Sequence, residues 1–107
     1  MSVFTSFSGG KLDLTLSSTP TIINLAMPLA ATEYSVTIPA GTRQFLIRTR
    51  SGIKLNLAYI LGNSGTTYIE VPRNCFYAES DVSLQAAQDL YIQTAAASQV
   101  LEILIWQ

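Results

Sequence analysis

Histidine is absent from this chain, cysteine occurs once, and charged residues make up only 12% of it. Each shortage removes a class of chemistry. Without imidazole there is no base for a Ser–His or Cys–His nucleophile, and the usual proton shuttle near neutral pH is missing. Zinc sites built from His and Cys cannot be assembled. Cys75 alone cannot close an internal disulfide, so folding does not depend on an oxidising compartment. The apolar run Ile103-Leu104-Ile105-Trp106 is far too short to span a bilayer, and no membrane partner is expected. Met1-Ser2-Val3-Phe4 lacks the basic start and long apolar stretch of a secretory leader, which predicts a soluble product made in a cytoplasm.

The charged share is about half that of an average soluble domain, while apolar residues reach 49%. At 107 residues the chain suits one domain. Such a domain, so sparsely charged, would expose wide neutral patches, which predicts that copies associate and cover one another. The net charge of −1 excludes general affinity for nucleic acid, which needs a basic excess to displace counterions. No glycine-rich phosphate loop opens a helix, and Gln85-Ala86-Ala87-Gln88 makes at most a turn. Glu79 and Asp81 are two apart, but a calcium loop needs more oxygen ligands in order, so they read as a polar turn. No catalytic residue, metal or cofactor is expected, and the chain reads as a non-enzyme.

What the chain does have is alternation. Tyr34, Val36 and Ile38 share a face before Pro39-Ala40-Gly41 ends the strand, because proline cannot donate to a ladder and glycine permits a tight turn. Further strands are predicted at Phe45 to Arg50, Lys54 to Leu61, Thr67 to Val71, Val82 to Leu84, Leu90 to Thr94 and Val100 to Trp106. Leu12 to Leu16 and Thr21 to Leu25 supply two more. The expected fold is all-β, an antiparallel β-sandwich or jelly-roll-like barrel of about eight or nine short strands. Residues 31–107 form the sandwich, and residues 1–30 are either its first strands or an arm reaching over a neighbour.

A three-residue loop, Ser51-Gly52-Ile53, with Gly52 at positive φ, predicts a hairpin that pairs Ile47 with Leu57 and Phe45 with Tyr59 inside. It pairs Arg48 with Asn56 and Arg50 with Lys54 outside. The next turn places Val71 opposite Leu57, Glu70 opposite Ala58 and Ile69 opposite Tyr59. Arg48, Arg50 and Lys54 then form an outward cationic cluster that is either a solvated face or a dock for an acidic protein surface, at a small like-charge cost. Alternation also turns Tyr91 and Trp106 outward, as interface anchors or, with Tyr68, as sugar-stacking rings.

Val36-Thr37-Ile38-Pro39-Ala40-Gly41-Thr42-Arg43 followed by Phe45 and Arg48, then Leu57-Ala58-Tyr59, Tyr68 with Val71-Pro72, Leu90-Tyr91-Ile92-Gln93, and Val100-Leu101-Glu102-Ile103 with Trp106, resembles small bacteriophage virion proteins that decorate or cement capsids. The likeness covers residues 34–107, and Pro72-Arg73-Asn74 departs from a second Pro-Ala-Gly turn. It implies a β-sandwich structural protein located in the virion, commonly a homotrimer, held noncovalently to the major capsid protein or another virion protein. The alternative is a carbohydrate-binding module of a phage tail or receptor-binding structure.

Overall fold

The computed structural model describes residues 19–107. Among these, eight strands and no helix are present: β1 (Thr21–Met27), β2 (Tyr34–Ile38), β3 (Gln44–Thr49), β4 (Leu55–Ala58), β5 (Ile69–Val71), β6 (Tyr77–Glu79), β7 (Gln88–Gln93) and β8 (Gln99–Trp106). They form two four-stranded sheets, β1-β8-β3-β6 and β2-β7-β4-β5. Every pairing is antiparallel, and the pairs nest: β1 with β8, β2 with β7, β3 with β6, β4 with β5. A chain folded once like a long hairpin and then rolled produces this order, which is that of an eight-stranded jelly-roll sandwich. The all-β expectation is met, in its sandwich form.

The inner faces follow from period-two alternation. Val36 and Ile38, Phe45 and Ile47, Leu55 and Leu57, Leu90 and Ile92, and Leu101, Ile103 and Ile105 all enter one core. Each such side chain, fully buried, contributes roughly 1.5–3 kcal/mol of hydrophobic stabilisation before chain entropy is counted. Of the four buried hydroxyl residues described, Ser64 donates to the distant Glu33 carboxylate, and the other three are satisfied locally. Thr42 donates to the Pro39 carbonyl at 2.8 Å, Thr49 to Ile53 at 2.6 Å and Thr94 to Ala96 at 2.9 Å. These bonds pin the turns that carry the chain from one sheet to the other.

Gly52 does adopt positive φ, +83°, but its loop joins strands of different sheets. The Gly52 carbonyl accepts from Asn74 N at 2.8 Å, so the loop is held by the turn that precedes β6. The expected β3–β4 hairpin therefore does not form. Ile47 and Leu57 enter the core from different sheets instead of lying opposite on one ladder, and Arg50 is not a cross-strand neighbour of Lys54. β4 and β5 do pair, two residues away from the expected register: Leu57 opposes Ile69, Asn56 opposes Glu70 and Leu55 opposes Val71. A two-residue slip preserves side-chain parity, so Leu57 and Val71 stay inward as expected, but Ile69, expected inward, is 52% exposed.

Strand assignments also differ. The predicted strand Lys54 to Leu61 is cut to Leu55–Ala58, which leaves Tyr59 42% exposed instead of inward. Val82 to Leu84 is not a strand; it runs beside the Thr42–Arg43 bend, Val82 N donating to Arg43 O at 3.1 Å and Leu84 N to Thr42 O at 3.3 Å. The strand in this region is instead Tyr77–Glu79, paired with β3. Residues 21–27 are the first strand of the sandwich, paired with β8 along their whole length. The strand expected at Leu12 to Leu16 lies outside the described residues.

Candidate functional site

The outer face of the β1-β8-β3-β6 sheet breaks the alternation. On β8, Leu101, Ile103 and Ile105 point inward, so Leu104 points out. The same parity turns Leu46 outward between buried Phe45 and Ile47 on β3, and Ile22 outward on β1. Register then aligns the exceptions. Ile22 pairs with Leu104, Leu104 with Leu46, and Leu46 with Ala78, an apolar row crossing all four strands. Ile22 is 68% exposed. Trp106 continues the patch at one end, opposite Gln44 and beside Leu104 and Leu46.

The next row carries charge. Asn24, Glu102 and Arg48 are cross-strand neighbours, and a shallow depression of about 300 Å³ lies between them and Ile22, Leu46 and Leu104. Glu102 takes Arg48 Nε on one oxygen at 2.9 Å and Arg50 Nε on the other at 2.8 Å. Hydrogen bonds from Arg50 and then Arg48 hold the Glu102 carboxyl below its ordinary value. The triad keeps one net positive charge, two cations against one anion. Phe76, 59% exposed, borders both arginines in an adjoining depression. This face therefore combines an apolar stripe, an aromatic at each side and a braced cationic pair.

Lys54 is not part of it. Its Nζ lies 4.0 Å from Glu70 at the β4–β5 edge of the other sheet. The three-cation cluster expected from sequence is divided, and Glu102, a residue sequence reasoning had not paired with it, supplies the compensation. Arg50 and Lys54 do not face each other on one ladder, so the cross-strand like-charge pairing expected between them does not form.

Tyr91 also lies elsewhere. It stands on the outer face of the β2-β7-β4-β5 sheet, opposite Ser35 and Ala58. Partial desolvation, with Asp89 and Glu33 nearby, raises its hydroxyl above the ordinary value. Its neighbours on that face, Ser35, Thr37, Asp89 and Gln93, form a polar surface of the kind that faces water, with Thr37 donating to Asp89 at 2.6 Å. Trp106 and Tyr91 occupy opposite outer faces of the sandwich, so they cannot stack on one sugar. Glu79 and Asp81 are likewise separated in role: Glu79 accepts from Tyr77, while Asp81 sits in a turn at φ +57°. Among the described residues no group of three or more acidic or cysteine side chains is placed to hold a metal ion.

The outward leucines and Ile22 were legible in principle. Thr21-Ile22-Ile23, Phe45-Leu46-Ile47 and Ile103-Leu104-Ile105 each put an apolar residue where alternation calls for a polar one. Only the register shows that the three coincide. A jelly-roll sandwich with one polar and one partly apolar outer face is the class that the fold and this surface define. Compared with protein families, curated proteins and solved structures, the chain matches none of them.

Proposed function

We propose that this protein is a structural subunit that works by association, using the outer face of the β1-β8-β3-β6 sheet to pack against another copy of itself. The observation that carries the reading is the aligned row Ile22–Leu104–Leu46–Ala78. A sheet face that only meets water gains nothing from three large aliphatic residues in register, whereas an interface core is depleted of charge and rich in such groups. Trp106 and Phe76 are the anchors, and the Arg48–Glu102–Arg50 triad at the rim sets orientation toward an acidic neighbour.

Within this reading the chain is a bacteriophage virion component of the decoration or cement kind. Support comes from the resemblance of residues 34–107 to such proteins and from the scarcity of charge. Jelly rolls recur in capsid and lectin domains, which is fold-level analogy alone. Light scattering and native mass spectrometry of the purified chain test the association: a trimer or other closed oligomer is expected, reduced to single chains by Leu46→Glu. A chain that stays single at high concentration overturns it. Proteomics of banded particles from the source of the chain tests the virion assignment, and its absence from them overturns that part.

A further inference from the structure

The nested topology leaves β5 and β6 as edge strands of opposite sheets, and the side of the sandwich between them is not closed by a ladder. A cleft of about 340 Å³ opens there, lined by Tyr59, Tyr68, Tyr77 and Ile69, with Asn63 and Thr67 at its polar end. This lies within the size range of small-molecule sites. Tyr59 and Tyr68 are 42% and 43% exposed, so their rings are available to a ligand.

The rings are held in place beforehand. Tyr77 packs against the core residue Phe45 with ring centroids 6.2 Å apart, and its hydroxyl lies 2.5 Å from Glu79 Oε2. A phenol has one proton, and Tyr77 gives its own to the carboxylate. The 2.9 Å contact between the Tyr59 and Tyr77 oxygens must then run from Tyr59 to Tyr77. Tyr59 is left with free lone pairs and no spare proton, an acceptor for an incoming donor. Asn63 brings both a donor and an acceptor, and Thr67 a hydroxyl. No charged side chain lines the cleft.

We infer that this cleft binds a neutral saccharide unit, whose C–H faces pack on the tyrosine rings and whose hydroxyls bond Tyr59, Asn63 and Thr67. The geometry selects that class. An anion would meet an acceptor-only Tyr59 with no cation to balance it. A cation would be desolvated with no carboxylate in contact, since Glu79 lies behind Tyr77. A purely apolar group would leave the amide and the hydroxyls unpaired. A hydroxylated ring with apolar faces satisfies all three requirements. The site is separate from the proposed association face and does not depend on it.

Nuclear magnetic resonance titration of the full chain with glucose, galactose, N-acetylglucosamine and maltose tests the inference, with choline as the cationic probe. Saturable shifts at Tyr59, Tyr68 and Tyr77 are expected with at least one of the sugars. Tyr68→Ala should weaken that binding about tenfold, the equivalent of one lost stacking contact. Tyr59→Phe, which keeps the ring and removes the acceptor, should weaken it while the spectrum stays that of a folded chain. Gln85→Ala, on an exposed turn away from the cleft, should leave binding unchanged. Shifts with choline alone, saccharide shifts located elsewhere, or no response to any of the four sugars overturns the assignment.

Discussion

Leu46 and Leu104 are direct cross-strand partners, and both face away from the core. Both are half-buried, and they share a shallow depression with Ile22, Asn24 and Arg48 on that outer surface. Replacing either with glutamate removes no core packing, so stability of the single chain should change by roughly 0.5 kcal/mol or less. The oligomer, by contrast, should dissociate, with Leu104→Glu shifting the mass in light scattering as Leu46→Glu does. Loss of the melting transition together with mass would instead place these residues in the fold.

Acid should weaken the fold through two carboxylates. Glu102 is held low by Arg50 and Arg48, and Glu33 by hydrogen bonds from the Ser64 hydroxyl and the Gly62 amide. A depressed folded value means that the unfolded chain binds protons more readily. The stabilisation is therefore present above the ordinary carboxylate range, about pH 4, and is lost as pH falls through the folded values. Denaturant midpoints measured from neutral pH down to about pH 3 should fall, and the fall should shrink in a Glu33→Gln, Glu102→Gln double variant.

Glu33 also has a local effect. Its two oxygens receive Gly62 N at 2.9 Å and Ser64 N at 3.1 Å, bracketing the turn after β4. Glu33→Gln should destabilise the protein by about 1 kcal/mol, charge-assisted bonds at a partly exposed site being worth no more. Hydrogen exchange at the Gly62 and Ser64 amides should accelerate more than at β8.

Glycines 52 and 62 share positive φ, +83° and +87°. A methyl group at Gly62 meets nothing within 4 Å, so Gly62→Ala adds only backbone strain, about 1 kcal/mol. At Gly52 the same group collides with Asn74 Oδ1. Gly52→Ala should therefore lower the melting temperature by clearly more than Gly62→Ala, and equal effects would show that the Asn74 side chain swings away freely.

Tyr77 should resist alkaline titration. Burial first, and then its bond to Glu79, push its hydroxyl well above the ordinary value, and burial raises Tyr59 as well. A raised folded value keeps the proton on the native chain. The contribution is complete below the unfolded value near pH 10 and declines as pH rises beyond it. Ultraviolet absorbance in base should show a late-ionising phenol that disappears in Tyr77→Phe.

Much of this molecule could be read from residue order, and the failures are informative. Val36 and Ile38, and Leu90 and Ile92, follow the period-two pattern, Leu101, Ile103 and Ile105 keep the same period although Leu104 interrupts the polar positions, and all seven are buried. Gly52 reads as a positive-φ turn for sound local reasons, and its φ is positive. The same turn chemistry serves a hairpin and a passage between sheets, and only pairing of β3 with β8, far along the chain, distinguishes them. β6 leaves little trace in the sequence, being three residues long with one inward-leaning aromatic, Tyr77, that is only half-buried. Arg48 and Arg50 read as outward, but their partner Glu102 is distant in sequence, and only proximity along the chain joins Lys54 to them.

The nested pairing has a consequence for synthesis. β1 and β3 are joined only through β8, and β2 and β4 only through β7, so each sheet has its middle supplied by the later part of the chain. While a ribosome still holds residues 88–106, β3 can pair with β6 and β4 with β5, but β1 and β2 lack their partners β8 and β7, and the inner faces of both sheets stay incompletely covered. The nascent polypeptide must wait, with β1 and β2 unpaired and prone to clumping, until translation has delivered β7 and β8.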